Sequence, residues 1–361
     1  MGIDRYIVYR YTKYNETGFE NEVVFLPTIY DLAKSLNLSV ATTSKALNGY
    51  ADVSEKTRQR VLAAAKAMQF EPSVNARMLV TKRSYLIGVL YVDFENMGLS
   101  HPHFNEILEH FKQEVEEAGY QIMFLGNKVG PKKRTLLENC RYRGLDAVLV
   151  MAADYSHPQV AELLQSDVHC VLVDFDFAGR PSVLSDNLQG MDLLVEYLHS
   201  MGHTKMLHMA APRGTPSGEE RLAGFAKALE SRGLPFSMDQ VIMAEGFGFQ
   251  DGYAAMEKLL LRGYDATALL CNCDALASGA LYCLSQHGIR VPQDISVTGF
   301  DNVNEDQMSP WRLTTIAQPR AQIGSMAADM CISLIEGNSV PSIVTRLPVS
   351  LVVRSSCAPV A

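Results

Sequence analysis

The stretch TIYDLAKSLNLSVATTSKALNG, residues 28–49, contains two short helical patterns joined by a tight turn. Thr28 is suited to cap the first helix, and Asn37 accepts the left-handed conformation that ends one. Ser39 is suited to cap a second helix over residues 40–48, which Gly49 stops. Two short helices connected by a turn of three residues are typical of a helix-turn-helix motif.

A third helix is predicted to follow from Ser54 to Phe70, because the residue before Pro72 is disfavoured in a helix. We therefore place a helical headpiece at residues 27–71 and a hinge at residues 72–83.

The charge of the chain is unevenly distributed. Between Pro27 and Arg83 there are nine basic and four acidic side chains, a net charge of +5, which leaves −13 for the rest of a chain whose total is −8. A basic module joined to an acidic one favours a nucleic-acid-binding head on a body that avoids phosphate. The alternative is a chance cluster of solvated helix charges.

Short side chains at the start of the second helix would let it enter the DNA major groove. Val40 and Ala41 could contact thymine methyl groups, and Lys45 could donate to the O6 or N7 atom of guanine. Neighbouring hydroxyl and amide groups suit phosphate oxygens. The DNA-binding residues predicted in the headpiece are Thr28, Tyr30, Ser39, Val40, Ala41, Thr42, Ser44, Lys45 and Asn48.

Residues 84–361 alternate short apolar runs with amphipathic helical patterns, which predicts α/β units with parallel sheets covered on both faces. A strand-helix-Gly-strand pattern occurs twice, from Tyr85 and from Lys205. We therefore predict two Rossmann-like subdomains, with a ligand at the carboxyl ends of the strands. The predicted strands are 85–91, 121–125, 147–151, 170–173, 205–209, 267–271 and 295–300.

Four segments together resemble the headpiece of the lactose-repressor (LacI/GalR) family of bacterial transcription regulators: TIYDLA (28–33), LSVATTSKALNG (38–49), VSEKTR (53–58) and FEPSVNARML (70–79). The sequence departs from the family at Asn37, where glycine is common, and at Thr43, where valine usually packs. By this resemblance Leu79 lies in a hinge that wedges a leucine into the minor groove. The alternative is that Leu79 packs on the protein core.

The body resembles the family's periplasmic-binding-protein-like effector domain over essentially its whole length. Its matching motifs include VLVDFD (171–176), SDN (185–187), ERLAGF (220–225), CD (273–274) and GFD (299–301). The resemblance implies that the chain crosses between subdomains three times, which we place near Pro181, Pro310 and Thr345.

The resemblance also implies an effector site. Arg221 and Asp301 match effector contacts, since arginine donates to oxygens and aspartate accepts from hydroxyls; the alternative is a purely structural salt bridge. Aromatic side chains could form the walls of the site. Cys273 replaces a frequent amide, and the alignment of Phe247 is uncertain. The residues predicted to bind the effector are Phe104, Arg221, Phe247, Cys273, Asp301 and Trp311.

The first 26 residues lie outside the family match. No methionine occurs between Met1 and Met68. We interpret this extension as a flexible arm or as an annotation artefact, with translation starting at Val23, Val24 or Leu26. Neither a secretory signal nor a membrane-spanning run is present in the sequence.

The sequence gives little support for a metal site, another cofactor or an enzymatic activity. Seven cysteines without paired C-x-x-C spacing suit free thiols in a reducing cytosol, and we predict no metal or other cofactor. Cys271 with Cys273, and His101 with His103, lack further ligands within reach in the sequence. No P-loop or nucleophile motif indicates an enzyme.

We therefore predict a cytoplasmic, nucleoid-bound transcription repressor that binds a pseudo-palindromic operator as a homodimer, under the control of a small molecule. A sugar or related polyol is the predicted effector, with a nucleobase or another metabolite as the alternative. A solute-binding protein of a transport system would share the fold of the body, but it would need a signal peptide and would have no use for the basic head.

Overall fold

The computed structural model describes residues 7–15, 18–70, 83–91, 99, 101–126, 128–129, 132–151, 157–303, 312–340 and 343–360, with side chains from residue 27 onward except at residues 128–129. The chain divides into two compact units, residues 1–84 and residues 85–361. The predicted hinge residues 72–82, including Leu79, lie outside the described residues, as do Trp311 and Pro310.

The headpiece is built from three capped helices, α1 (Ile29–Leu36), α2 (Val40–Leu47) and α3 (Glu55–Ala67). Thr28, Ser39 and Ser54 accept hydrogen bonds from the first turns of these helices. Asn37 ends α1 with a φ of 54°, the left-handed conformation predicted for it. The caps predicted from the sequence are therefore present in the structure, and they define the turn between α1 and α2.

A small apolar core holds these helices together. Thr43 is fully buried on α2, and its hydroxyl donates to the carbonyl of Ser39 at 3.0 Å, so threonine is accommodated where the family has valine. The third helix ends at Ala67, three residues before the predicted Phe70, because Gln69 adopts a φ of 51° and Phe70 packs back onto the core. The buried core consists of Leu32, Ala46, Val53, Val61 and Ala65.

The backbone of the N-terminal extension forms an antiparallel hairpin. Strand β1 (Ile7–Asn15) pairs with β2 (Gly18–Leu26), and Asn15 lies opposite Gly18. This differs from the flexible arm of our interpretation, because Val, Tyr, Thr and Phe are frequent in the two segments and favour strands. A later translation start remains a prediction.

The strands of the body are β3 (Leu86–Tyr91), β4 (Gln121–Phe124), β5 (Lys128–Val129), β6 (Lys132–Lys133), β7 (Ala147–Met151), β8 (Cys170–Val173), β9 (Ser182–Ser185), β10 (Met206–Ala210), β11 (Val241–Met243), β12 (Ala268–Cys271), β13 (Ser296–Thr298), β14 (Thr315–Ala317), β15 (Val344–Leu347) and β16 (Ser350–Val352).

Most of these strands form two parallel sheets. The N-terminal subdomain has the strand order β15-β9-β8-β7-β3-β4, and the C-terminal subdomain has the order β11-β10-β12-β13. Strands β14 and β16 form an antiparallel pair, as do β5 and β6.

Helices cover both faces of each sheet, so each subdomain has two apolar cores, one on each face of its sheet. Gly324 permits close packing of two of these helices, since a Cβ atom there would lie 2.4 Å from the carbonyl oxygen of Ile107. The predicted α/β fold with two Rossmann-like subdomains behind a helix-turn-helix is confirmed. The helices are α4 (Pro102–Glu117), α5 (Leu136–Arg143), α6 (Pro158–Gln165), α7 (Asn187–Ser200), α8 (Pro216–Glu230), α9 (Phe249–Arg262), α10 (Asp274–Gln286) and α11 (Arg320–Glu336).

The three crossings between the subdomains lie later in the chain than predicted. Strand β9 belongs to the N-terminal sheet, so the first crossing comes after Ser185 rather than near Pro181. The second lies between β14 and α11 rather than near Pro310, and the third lies between β15 and β16, after Thr345. The first and third crossings are displaced because residues 182–185 pair with residues 344–347, which lie 162 positions further along the chain, and a local pattern does not reveal that pairing.

A buried histidine makes the body sensitive to acid. His208 on β10 is fully buried, donates from Nδ1 to the carbonyl of Leu270 at 3.0 Å, and lies against the ring of Phe225. Burial, with a smaller contribution from the charge of Arg221, lowers the pKa of His208 from 6.5 to about 4. In the folded body this imidazole therefore stays neutral down to about pH 4.

We expect this histidine to reduce stability in acid. Above pH 6.5 neither state binds the proton, whereas between pH 6.5 and pH 4 the unfolded chain binds it and the folded chain does not, so stability falls as the pH falls. The full difference corresponds to about 3 kcal/mol. Urea unfolding of the body at pH 7 and pH 4.5 should show a smaller loss for His208→Gln than for wild type. Equal losses in the two proteins would contradict this assignment.

Candidate DNA-binding surface and effector site

The surface of α2 presents small and polar side chains. Ala41, Lys45 and Asn48 are exposed, while Val40 and Ser44 are partly exposed. Tyr30 on α1 is 60% exposed. These side chains are accessible as a DNA-reading surface requires, and their contacts with DNA remain predictions.

Several of the predicted phosphate-binding groups also cap helices. The hydroxyl of Thr28 donates to Asp31 at 2.6 Å, and Ser39 accepts from the amide of Thr42 at 3.0 Å. The amide group of Asn48 donates to the carbonyl of Ser44 at 2.8 Å. Each of these groups therefore fixes the backbone of the motif, in addition to any contact with a phosphate.

Lys45 forms an ion pair with Asp52 in the loop between α2 and α3. This hydrogen bond raises the pKa of Lys45 and lowers the pKa of Asp52. Both side chains are about half exposed, so the pair lies in water and can exchange for another partner. A contact between Lys45 and a base would require the lysine to leave Asp52.

A buried arginine and an aspartate meet at the carboxyl edge of the C-terminal sheet. The side chain of Arg221 is 7% exposed, and its NH1 atom lies 3.7 Å from Oδ1 of Asp301. Its Nε atom donates to the side chain of Asn187 at 2.9 Å, and its NH1 atom donates to the carbonyl of Asn272 at 2.6 Å. The guanidinium also stacks on the ring of Phe300 at 3.7 Å. Arg221 is thus rigidly held beside the carboxylate that the sequence pairs with it.

Asp301 is fixed by the crossing that follows β14. Its Oδ1 atom accepts a hydrogen bond from Gln318 at 2.5 Å, and Gln318 in turn accepts from the hydroxyl of Ser185 at 2.6 Å. Ser185 and Gln318 each lie at a crossing between the subdomains. The carboxylate is therefore joined by hydrogen bonds to two of the three connections.

Cys273 and Phe247 lie together at the same edge. The thiol of Cys273 donates to the carbonyl of Phe247 at 3.3 Å, and Phe247 packs partly buried against the core on that face. Cys273 is itself buried and precedes α10 directly. The structure thus brings Phe247 near Cys273, although the sequence left the alignment of Phe247 uncertain.

The facing edge of the N-terminal subdomain carries aromatic groups and a second carboxylate. Phe104 packs edge-on against Tyr91 and His103, with ring centroids 5.9 Å and 4.9 Å away. His103 is 4% exposed, and its Nε2 atom lies 3.1 Å from Oδ2 of Asp174, which follows β8 directly. Because a carboxylate only accepts, Nε2 is the donor. Among the described residues, the Nδ1 atom of His103 has no hydrogen-bond partner.

Sequence reasoning missed several of these residues. The motifs VLVDFD and SDN contain Asp174 and Asn187, and their position after predicted strands was the signal that could have identified them. The sequence placed His103 in a loop at the rim of the cleft, with a metal pair as the weaker interpretation, whereas the structure places it in the first turn of α4. Gln318 had no local signal, since its importance arises from the crossing.

The cysteines and acidic groups give no support for a metal site. All seven cysteines are free, and burial raises the pKa of Cys140 to about 12 and of Cys170 to about 11. Within the described ranges, no three His, Cys, Asp or Glu side chains come close enough together to hold a metal ion. In the same ranges, no helix is long and apolar enough to cross a membrane.

Comparison with known proteins finds similar proteins for both the headpiece and the body. Residues 28–73 match the family of bacterial regulatory proteins of the lacI type, and residues 195–357 match a periplasmic-binding-protein-like domain. The chain is 32% identical over 317 residues to the HTH-type transcriptional repressor PurR of Escherichia coli O139:H28, covering 86% of this chain and 91% of that protein. The PurR repressor of Shigella dysenteriae serotype 1 gives the same values.

Solved structures agree. The Lac repressor dimer bound to operator and the anti-inducer ONPF is 26% identical, with a TM-score of 0.76 over 92% of this chain and 99% of that one. The CelR regulator in complex with cellobiose is 25% identical, with a TM-score of 0.67 over 91% and 99%. A ribose-bound regulator from Enterococcus faecium is 26% identical, with a TM-score of 0.65 over 76% and 100%. The chain belongs to the LacI family of bacterial transcription regulators, whose members are DNA-binding proteins controlled by small effectors rather than enzymes.

Proposed function

We propose that this regulator is a homodimeric repressor of a pseudo-palindromic operator, and that a small molecule bound between the subdomains of the body changes its affinity for DNA. The observation that carries the proposal is the buried pair of Arg221 and Asp301, whose NH1 and Oδ1 atoms are 3.7 Å apart. The described hydrogen bonds of these two side chains end on Oδ1 of Asp301 and on Nε and NH1 of Arg221, so Oδ2 of Asp301 and NH2 of Arg221 remain to bind an effector. Acting on chromosomal operators, the protein would work in the cytoplasm, bound to the nucleoid.

The geometry favours an effector that carries both donors and acceptors. Asp301 would accept from a hydroxyl or N–H group, and Arg221 would donate to an oxygen. Phe104 would provide an aromatic wall on the opposite side. These groups suit a sugar or polyol, the chemistry of the cellobiose and ribose found in two of the similar structures.

A nucleobase is the second candidate. In its neutral form His103 would offer Nδ1 as an acceptor for a ring N–H group, and Phe104 beside it could stack on a planar base. Cys273, which replaces a frequent amide, removes one group that would bind a sugar hydroxyl. Thermal-shift measurements of the full chain with D-ribose, cellobiose, hypoxanthine and guanine separate the two classes. If none of these raises the melting temperature, the proposed effector chemistry is wrong.

Removing Lys45 should weaken sequence recognition. We expect Lys45→Ala to lose about tenfold or more in affinity for an operator selected from random DNA, because a guanine contact is lost. Lys66→Ala, on α3, removes the same charge and is the control. Base preference should broaden only for Lys45→Ala. Identical selected sequences for wild type and Lys45→Ala would exclude a base contact.

Removing the partner of Lys45 should have the opposite effect. Asp52→Asn frees the ammonium and removes a negative charge beside the DNA-binding helix. We expect severalfold tighter operator binding, with a steeper dependence of affinity on salt. Filter-binding titrations at two salt concentrations measure both quantities. Weaker binding by the variant would show that Asp52 has another role in the complex.

Removing Arg221 should uncouple the effector from DNA. We expect Arg221→Ala to bind operator normally. Its affinity for the active compound should fall more than tenfold, so that the thermal shift is lost, because a charge-assisted contact is removed. Arg232→Ala breaks an ion pair between Arg232 and Asp192 elsewhere in this subdomain and is the matched control. An unchanged response in Arg221→Ala would exclude Arg221 from the site.

A further inference from the structure

The turn that presents Asp301 has an unusual backbone. Asp301 has a φ of 119° and Asn302 a φ of 55°, so two consecutive residues other than glycine lie at positive φ. Such conformations are costly for side chains with a Cβ atom and persist only when surrounding contacts impose them. The amide of Asp301 donates to the carbonyl of Ile316 at 2.8 Å, and the amide of Val303 donates to Asp274 at 3.1 Å. These bonds hold the two ends of the turn.

The carbonyls in the middle of the turn are held by one side chain. Arg320, at the start of α11, donates from NH1 to the carbonyl of Asp301 and from NH2 to the carbonyl of Asn302 at 3.2 Å. Its Nε atom donates to Oε2 of Glu106 on α4 at 2.6 Å. The side chain of Arg320 is 9% exposed. One buried guanidinium thus joins the strained turn of the C-terminal subdomain to a helix of the N-terminal subdomain.

We propose that Arg320 is a positioning residue for effector binding. It holds Asp301 and Asn302 in the conformation that directs the Asp301 carboxylate toward Arg221, and Glu106 fixes the orientation of the guanidinium. Arg320 acts here through the backbone, since its described bonds to the turn end on main-chain oxygens. This inference rests on the proposed effector site at Arg221 and Asp301.

The chemistry of the side chain explains why arginine is used. Three donors in one rigid plane can satisfy two carbonyls and a carboxylate together, whereas a lysine ammonium on a flexible stem does not impose that geometry. The buried guanidinium also needs Glu106, because an uncompensated buried charge is costly. The turn, the arginine and the glutamate therefore form one unit.

A second ion pair between the subdomains provides a matched control. Arg346 on β15 contacts Glu220 on α8 through two bonds of 2.7 Å and 3.0 Å, and none of its described contacts involves residues 301–302. If Arg320 merely holds the subdomains together, breaking this other pair should have the same consequence for the turn. If Arg320 positions the turn, the two variants should differ.

The test compares Arg320→Gln, Arg320→Lys and Glu106→Gln with Arg346→Gln in the full chain without added ligand. Hydrogen exchange of the peptide that covers residues 299–303 is the first readout, since the amides of Asp301 and Val303 are bonded there. We expect exchange about tenfold faster or more in both Arg320 variants, a smaller increase in Glu106→Gln, and no change in Arg346→Gln. Arg320→Lys retains the positive charge, which guards against a result caused by misfolding of Arg320→Gln.

The second readout is the affinity for D-ribose, cellobiose, hypoxanthine and guanine, measured by thermal shift, with operator binding as a check of the headpiece. We expect the Arg320 variants to bind the active compound at least tenfold more weakly while operator affinity without effector is unchanged. Exchange at wild-type rates in both Arg320 variants, or an equal increase in Arg346→Gln, would overturn the proposal. If wild type binds none of the four compounds, the proposed effector chemistry fails, and hydrogen exchange alone decides the role of Arg320.

Discussion

The parallel arrangement of strands is the constraint on which the organisation of the body depends. In a parallel sheet every strand ends at the same edge, so residues that follow different strands come together there. Asp174 follows β8 and Asp301 lies just beyond β13, while the three crossings follow β9, β14 and β15. The connections between the subdomains therefore lie beside the candidate effector site. A ligand bound there would contact these connections directly, without a long path through the core.

The polar contacts of the site explain how binding could be coupled to subdomain orientation. Arg221 and Asp301 belong to the C-terminal subdomain, and hydrogen bonds lead from Asp301 through Gln318 to Ser185 in the N-terminal sheet. An effector that competes for either charged group changes the partners of these bonds. Its free energy of binding then differs between the subdomain orientations, which is the requirement for allosteric coupling. Reciprocity follows, since DNA that favours one orientation must alter effector affinity equally.

The sequence predicts a structural feature when the residues that produce it are close together in the chain, and fails when they are far apart. Caps act within four residues, so the helix boundaries can be predicted from Thr28, Ser39 and Asn37. Apolar runs such as 147–151 and 170–173 predict the strands to within one residue. The first and third crossings lie later than predicted because β9 pairs with β15, a segment that is distant in the sequence. Arg320 gave no signal for the same reason, since its role appears only when α11, α4 and the turn after β13 are brought together.

The net charge of the headpiece and hinge together overstates the positive charge that is available to DNA. Lys45 is paired with Asp52, Arg58 donates to the carbonyls of Gly49 and Tyr50 at 3.2 Å and 3.1 Å, and Arg60 reaches the carbonyl of Leu36 at 3.4 Å. Arginine side chains that hold backbone oxygens keep their charge but lose freedom to meet a phosphate. The salt dependence of binding counts the phosphates that are neutralised, not the cations present. Its slope should therefore be smaller than nine basic side chains imply, while the net charge of −13 elsewhere in the chain still restricts phosphate contacts to the head and hinge.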